Sequence, residues 1–196
     1  MTGRVEVLPA TGDRFDLVEH ALTGGGDGAS CWCRWLLDTR RAFEAAGRDG
    51  RRALLLEELT GADVAPGLVL TADGAAAGWV RVAPRVAQPG LLRTRVLRTG
   101  GDEPADDPAV WAVSCFVVRR EHRGTGVAAA LLDAAVDHAR RHGARLVEGY
   151  PVDRAARPGA TSSELWHGTA GLFARAGFVE TARPTPARPV MALRLD

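Results

Sequence analysis

The residues best suited to chemistry lie in one short glycine-containing stretch, Arg123-Gly124-Thr125-Gly126-Val127-Ala128. Its two glycines let the backbone approach a ligand without interference from a Cβ atom. Where such a loop leads into a helix, the unpaired amides of the first turn and the helix dipole both favour an anion. The stretch therefore predicts a cradle for a phosphate or a diphosphate.

The segments on either side of this loop predict the elements that position it. Val110 to Val118 is a short apolar run, rich in β-branched and aromatic residues, which is typical of a buried strand. After the loop, apolar residues recur with helical period up to Gly143, at Ala128, Leu131, Leu132, Ala135, Val136 and Ala139. Strand, loop and helix together predict one ligand-binding unit.

A dinucleotide site is one interpretation of this unit. Gly124-x-Gly126-x-x-Ala129 satisfies the pattern G-x-G-x-x-A, and Glu148 lies at a tolerable distance for a ribose-binding acid. The match is weak, because the residues Arg119 to Arg123 separate the strand from the first glycine. Too little chain also follows Ala129 for the further βαβ units that such a fold needs.

With its arginine included, the loop has the pattern R-x-x-G-x-A from Arg123 to Ala128. This resembles the signature of the GNAT-type N-acyltransferases, whose loop holds the pyrophosphate of acetyl-CoA. The sequence from Gly171 to Phe178 resembles the end of the family's C-terminal helix, "Y-x-x-x-G-F". It departs from that pattern at Phe173, where many members carry the tyrosine that protonates the departing CoA thiolate. The resemblance covers most of the chain and is strongest over residues 110–153 and 166–179.

The resemblance implies an α/β fold, with one GNAT-like domain spanning residues 1–196. Its mixed, mostly antiparallel sheet is flanked by helices and splayed between the two central strands. The implied activity is transfer of an acetyl group from acetyl-CoA to a primary amine by direct attack in a ternary complex. A small-molecule acceptor is favoured, because Trp32, Trp35 and Trp166 suggest an enclosed apolar cleft. A protein or peptide acceptor, and an acyl-CoA-binding module without turnover, remain the alternatives.

The cofactor site implied by the resemblance combines the loop with the strand before it. In the family, the strand amides pair with the pantetheine arm in the manner of an added strand. The cofactor-binding residues expected here are Phe116, Val117, Val118, Arg123, Gly124, Thr125, Gly126, Val127, Ala128 and Phe173.

Acetyl transfer also needs a neutral amine and a proton for the leaving thiolate. Glu148, on the strand after the loop helix, is the best candidate for the base, with a structural salt bridge as the alternative. Ser114 shares a strand face with Ala112 and Phe116 by alternation, and could orient a water or donate a hydrogen bond, with a satisfied strand hydroxyl as the favoured alternative. Tyr150, the chain's one tyrosine, is the candidate acid in place of Phe173. His167, at the start of the last predicted helix, is expected beside the acceptor.

The segment Cys31-Trp32-Cys33-Arg34-Trp35 admits several interpretations. A metal site would need a second Cys or His pair at ligand spacing, and none is present, so no metal is predicted. A redox pair usually has different spacing. A buried aromatic segment with cysteine acting as a small hydrophobe, or a wall of the substrate pocket, fits the composition better. In the resemblance this region forms one side of the acceptor cleft.

Composition limits the other classes of function. With 196 residues, a net charge of +1 and a pI near 7.8, there is no strong case for binding nucleic acid or a membrane surface. Three cysteines, an odd number, predict reduced thiols in a cytoplasmic protein. No signal peptide or long apolar run is present in the sequence. Homodimer formation is left open.

The remaining elements follow from local patterns. We predict a strand over Arg4–Leu8, helices over Asp13–Leu22 and Arg48–Leu59, and strands over Leu68–Leu70, Ala76–Ala83, Arg145–Tyr150 and Pro189–Leu195. Asp73-Gly74 predicts a hairpin turn, and Gly78 a bulge or kink. A helix from Leu165 to Ala176 is expected to be capped by Ser162 or Ser163. The arginines between Arg81 and Arg98 are expected in solvated loops, with some meeting the 3′-phosphate of CoA.

Overall fold

The computed structural model describes residues 4–94, 103–161 and 163–195. Seven strands make one sheet in the order β1-β2-β3-β4-β5-β7-β6. Adjacent strands are antiparallel except β4 and β5, which are parallel. The mixed, mostly antiparallel sheet expected from the sequence is therefore confirmed. The strands are β1 (Val5–Pro9), β2 (Gly67–Ala72), β3 (Ala75–Pro84), β4 (Val110–Val118), β5 (Leu146–Gly149), β6 (Val179–Thr185) and β7 (Arg188–Arg194).

Helices cover both faces of the sheet. They are α1 (Phe15–Thr23), α2 (Gly28–Cys31), α3 (Arg40–Gly61), α4 (Pro89–Arg93), α5 (Val127–Arg141) and α6 (Ala170–Arg175). Side chains of α5 and α6 form the core of one face, and those of α1 and α3 form the core of the other. None of the helices described is both long and apolar enough to cross a membrane.

Helix α5 packs closely on the middle of the sheet because β3 carries Gly78 beneath it. A Cβ on Gly78 would lie 2.8 Å from Val127 Cγ1 and 2.9 Å from the Val117 carbonyl oxygen. The register shift predicted at Gly78 falls next to it, opposite Leu70 and Thr71, where Ala77 is the extra residue. Gly78 thus fixes how near the loop helix comes to β3 and β4.

The sheet opens between its two central strands. Strand β5 pairs with β4 only from Val110 to Val113, whereas β4 continues to Val118. Beyond that point one edge of β4 faces the segment that precedes α6, and the Phe116 amide donates to the Trp166 carbonyl at 2.6 Å. The predicted splay between the central strands is confirmed.

A β-bulge at Ser114 changes which side chains of β4 share a face. Arg81 of β3 pairs with Cys115 and Val82 pairs with Val113, so Ser114 is the extra residue. Phe116 consequently packs in the α5 core, whereas Cys115 packs in the α1 core. The predicted common face of Ser114, Ala112 and Phe116 is wrong, because simple alternation ignores the bulge.

Two predicted helix bounds also differ from the structure. Helix α3 begins at Arg40, capped by the Thr39 hydroxyl, and Gly47 interrupts it with φ 58° and ψ −174°. Helix α6 begins only at Ala170, where Thr169 caps the Leu172 amide, so the predicted start at Leu165 is wrong. Gly168, with φ +81°, breaks the apparent helical pattern before it. Ser162 lies outside the described residues.

The arginines expected in solvated loops divide into two groups. Arg81 and Arg85 are fully buried in ion pairs, so the expectation is wrong for them. Arg93 stays exposed and donates to the Asp38 carbonyl. Arg95 and Arg98 lie outside the described residues.

Candidate active site

A cavity of about 970 Å³ runs along the open edge of β4. One end reaches the glycine loop before α5 and the side of α6, at Val117, Val118, Arg123, Gly124, Ala128 and Arg175. The other end is a chamber beside α2 and α3, formed by Asp27, Ser30, Cys31, Trp35, Leu36 and Phe43. The cavity thus joins the predicted phosphate loop to the predicted acceptor side.

The loop end has the geometry of an anion cradle. Gly124 and Gly126 adopt positive φ angles of 75° and 92°, and an added Cβ at either position would meet no atom within 4 Å. Gly126 precedes the first turn of α5, and its carbonyl accepts from the amides of Ala129 and Ala130. The outward amides of this turn, with Arg123 and Arg175 on the wall, suit a diphosphate.

The other predicted loop residues shape the cradle from behind. The Thr125 hydroxyl donates to the His122 carbonyl at 2.7 Å, which closes the turn. Val127 is buried in the core under α5 and does not face the cavity. The contact predicted for Val127 with a cofactor is therefore limited to its backbone.

The part of the expected cofactor site on β4 differs from the expectation in one hydrogen bond, that of the Phe116 amide. Phe116, Val117 and Val118 all line the cavity. However, the Phe116 amide already donates to the Trp166 carbonyl, so it cannot also pair with a pantetheine arm. That pairing would first require Trp166 to move away from β4.

Glu148 lies in a buried ion pair and not on the cavity wall. Its Oε2 accepts from Arg85 Nη1 at 2.9 Å and from the Tyr150 hydroxyl at 2.6 Å, and all three residues are buried. Burial raises the pKa of Tyr150 well above its usual range, and the charge of Glu148 adds to the increase. This placement corresponds to the structural salt bridge that was the alternative for Glu148, and it does not favour Glu148 as a base or Tyr150 as an acid.

Ser114 reaches the cavity but is held by the protein. Its hydroxyl donates to Gln88 Oε1, and Gln88 Nε2 donates to the carbonyls of Ala83 at 3.2 Å and Ala112 at 3.1 Å. Gln88 thereby connects the bulge of β4 to the end of β3 by hydrogen bonds. The Ser114 side chain stabilises the strand irregularity beside the cavity.

Phe173 does not contact the cavity, contrary to its predicted place in the cofactor site. It is fully buried between Phe116 and Phe178, with ring centroids 6.1 Å and 5.0 Å away in edge-on geometry. A Cβ on Gly149 would overlap its ring, so β5 makes room for it. From the same helix, Leu172 and Arg175 reach the wall instead.

Of the tryptophans predicted at the acceptor side, one lies on the cavity wall and another lies in the hydrophobic core. Trp35 lines the cavity with 53 % of its surface exposed, edge-on to Phe43 at 5.2 Å. Trp32 is 1 % exposed and stacks on Phe15 in the core, because the chain turns through left-handed conformations at Trp32 and Cys33. The prediction of Trp32 as a wall residue is wrong.

His167 is also buried away from the cavity, with Trp166 on the wall in its place. The two rings stack with centroids 3.6 Å apart. Burial lowers the pKa of His167 to about 3, and its Nδ1 has no hydrogen-bond partner in the described part of the structure. A neutral, enclosed imidazole fits a structural role better than an acceptor contact.

Sequence reasoning missed a cluster of polar groups in the cavity wall. Cys33 follows α2, Cys115 belongs to β4, and both line the cavity. Their sulfur atoms are 3.6 Å apart, and Trp79 Nε1 donates to Cys33 Sγ at 2.9 Å. Arg81 lines the same cavity. Cys33 was foreseen as buried or as a wall residue, but its partners lie 46 and 82 residues away, beyond any local pattern. Among the described residues no group of three or more His, Cys, Asp or Glu forms a metal site.

Asp27 is a second missed residue. It follows the glycines of the loop after α1, is exposed, and is the one carboxylate on the cavity wall within the described ranges. The sequence offers one signal, an acidic residue enclosed by four glycines.

The family comparison agrees with this architecture. A model of the GNAT acetyltransferase family matches residues 32–158, which is more than half of the chain. The chain therefore belongs to the GNAT family, whose members are in general acyl-CoA-dependent N-acyltransferases. No curated protein matches the sequence significantly.

Solved structures share the fold at low sequence identity. The PaiA N-acetyltransferase of Thermoplasma acidophilum, in complex with coenzyme A, matches with a TM-score of 0.56 and 11 % identity, over 98 % of this chain and 99 % of that one. The GNAT domain of S. lividans PAT matches with a TM-score of 0.57 and 19 % identity, over 97 % of this chain and 90 % of that one. The ribosomal-protein-S18-alanine N-acetyltransferase of Escherichia coli matches with a TM-score of 0.52 and 11 % identity, over 98 % of this chain and 95 % of that one. At these identities the likeness concerns the fold alone.

Proposed function

We propose that this chain transfers an acetyl group from acetyl-CoA to the primary amine of a small molecule. The observation that carries the proposal is the continuous cavity, which links the glycine loop at Gly124 and Ala128 to an aromatic chamber at Trp35. A CoA-bound relative with the same fold supports the choice of donor. A largely apolar, aromatic-lined cleft is more suitable for a small amine than for an extended peptide.

In this proposal the two ends of the cavity do different work. Gly124 and Gly126 leave room for a diphosphate, and Arg123 and Arg175 supply opposite charge. The wall of β4 from Val118 to Cys115 guides the arm that carries the thioester toward the chamber. The acceptor nitrogen then attacks the thioester carbonyl carbon, and the CoA thiolate leaves. Alignment of the two reactants supplies much of the rate enhancement.

The proton of the acceptor ammonium needs a destination other than Glu148. We place Asp27 in this role, because it is the one carboxylate residue on the cavity wall within the described ranges and can accept a proton through water. The leaving thiolate is protonated by solvent, since the proton of Tyr150 is held by Glu148.

Release of CoA thiol in the presence of a panel of small amines and short peptides tests the proposal. We expect release that depends on a small amine. Release only with peptides would favour a protein or peptide acceptor, and CoA binding without any release would favour a non-catalytic module. Phe173 and the occupied Phe116 amide are the features that keep this last outcome open.

A pair of glycine variants tests the cradle itself. Gly126→Leu should abolish CoA binding in isothermal titration, because the side chain would fill the space of the diphosphate. Gly143→Leu is the matched control, since Gly143 ends the same helix with φ +82° and equally open surroundings, away from the cavity. Equal loss of binding in both variants would indicate backbone strain instead of a blocked cradle.

A further inference from the structure

The cavity wall holds a thiol in surroundings that favour its ionised form. Cys33 Sγ accepts a hydrogen bond from Trp79 Nε1 at 2.9 Å and lies 3.6 Å from Cys115 Sγ, and both sulfur-bearing residues line the cavity. Its backbone is held in the left-handed region, with φ 54° after φ 48° at Trp32. Two consecutive non-glycine residues in this region are uncommon, and strain of this kind persists where the surroundings fix it.

A buried cation lies beside this thiol. Arg81 is 1 % exposed, and its two terminal nitrogens bind Glu58 at 2.8 and 2.9 Å. Its Nε has no hydrogen-bond partner in the described structure, although Arg81 lines the cavity. Glu58 is shared with Arg34, which also binds Asp38. Two arginines and two carboxylates balance in charge, so a thiolate on Cys33 is not opposed by excess negative charge.

The neighbouring thiols differ from Cys33 in their protonation. The hydrogen bond shared with Cys115 lowers the pKa of Cys33, and Arg81 and Trp79 lower it further against the effect of burial. Burial raises the pKa of Cys31 to about 12, and the hydrogen bond shared with Cys33, together with burial, raises the pKa of Cys115. Since the thiolate is the nucleophile, the cavity wall contains one activated thiol and two inactive ones.

We infer that Cys33 is a covalent acyl-acceptor site, whose sulfur takes the acyl group from a thioester bound in the same cavity. The inference rests on the proposed function for the thioester donor. The Cys33 thiolate attacks the thioester carbonyl carbon, a carbon–Sγ bond forms, and the bond to the CoA sulfur breaks. The CoA thiolate leaves and takes a proton from water. One thioester replaces another, so the step needs no oxidant or other reactant.

The positions along β4 make this transfer sterically reasonable. Val118 lies beside the phosphate loop, because its carbonyl accepts from Arg123 Nε at 3.3 Å. Cys115, which contacts Cys33, is three residues earlier, or about 10 Å along the strand. In this route an amine takes the acyl group from Cys33 in a second step, and two transfers in the same cavity replace the direct attack on the CoA thioester described above.

Incubation of the full chain with radiolabelled acetyl-CoA, without any amine, tests the inference. After denaturation and digestion, we expect one acetyl group on Cys33, released by hydroxylamine as a thioester is. Cys33→Ala should lose the label and Cys31→Ala, two residues away on the same wall, should keep it. Absence of label, label retained in Cys33→Ala, or equal label on Cys31 would overturn the inference.

Two further measurements separate this inference from the proposed function. If wild type binds CoA and acetylates an amine without label on Cys33, the inference fails and the proposed function stands. If CoA does not bind, both fail.

Alkylation of wild-type protein by iodoacetamide at neutral pH tests the thiol without any cofactor. Burial raises the pKa of Cys31 to about 12, whereas hydrogen bonds and the charge of Arg81 lower the pKa of Cys33, so Cys33 has the larger thiolate fraction at neutral pH. The thiolate is the form that attacks iodoacetamide. We expect Cys33 to react first despite its greater burial, and faster reaction at Cys31 would contradict the activation of Cys33. Trp79→Phe, which removes one donor, should slow the reaction of Cys33.

Discussion

Glu148→Gln distinguishes a buried ion pair from a catalytic base. The amide keeps the size of the side chain and an acceptor for the Tyr150 hydroxyl, but it leaves the Arg85 guanidinium buried without a counter-charge. Removing one partner of a buried pair costs about 3–5 kcal/mol. Arg85 also donates to the backbone carbonyls of Glu103 and Pro104, so we expect a loss near the lower limit, about 3 kcal/mol.

The expected loss is large enough to measure by thermal unfolding. For a chain of this length, about 3 kcal/mol corresponds to a fall of roughly 6–12 °C in melting temperature. Turnover, measured well below the new melting temperature, should stay within about threefold of wild type, since Glu148 does not line the cavity. An unchanged melting temperature, with turnover lower by about 10²–10⁴-fold and an altered pH–rate profile, would refute this reasoning and return Glu148 to the role of base.

A charge-free variant provides the control for this prediction. Arg85→Met, Glu148→Leu and Tyr150→Phe together remove both charges and the hydroxyl that would lose its acceptor. Replacing a complete buried pair with apolar residues is often neutral, so most of the lost stability should return. Continued instability would mean that the single variant had disturbed packing and not charge balance.

Two other predictions concern the chamber and the pH dependence of folding. Trp35→Ala should raise the KM for the acceptor about tenfold, because roughly 1.4 kcal/mol of apolar contact is lost, and it should leave CoA affinity unchanged. Val179→Ala, on the exposed surface, serves as the control. The pKa of His167 is about 3 in the folded state, whereas in the unfolded chain the side chain takes up a proton near pH 6.5. The contribution of neutral His167 to the free energy of unfolding is therefore fully present above pH 6.5 and decreases as the pH falls from 6.5 to 3. Urea unfolding at several pH values should show that His167→Phe reduces this slope by up to about 1.36 kcal/mol per pH unit, whereas replacement of the exposed His20 should not.

The sequence predicted the central unit well because its signals are local. The apolar run from Val110 to Val118 has the same bounds in β4, and the helical period after Gly126 matches α5. Both elements bury one side against the sheet, so their periodicity records their environment directly. The positive φ angles at Gly124 and Gly126 likewise follow from residue type.

The catalytic assignments were less successful because they depend on contacts distant in sequence. Glu148 meets Arg85 across 63 residues, and no pattern near either one indicates the pair. Trp32 and Trp35 look equivalent in the sequence, yet the left-handed turn at Trp32 and Cys33 places the first in the core and the second on the cavity wall. Such a turn in non-glycine residues has no reliable sequence signal.

The bulge at Ser114 explains how a regular strand brings two thiols together. Before it, Trp111 and Val113 face α5. After it, Phe116 and Val118 face α5, whereas Cys115 faces the opposite core. Without the extra residue, strict alternation would direct Cys115 toward α5 and away from Cys33, because a shift of one residue exchanges the two faces of a strand. The hydrogen bond from Ser114 to Gln88 holds the bulge in place. The contact between Cys33 and Cys115 therefore depends on a single extra residue in β4.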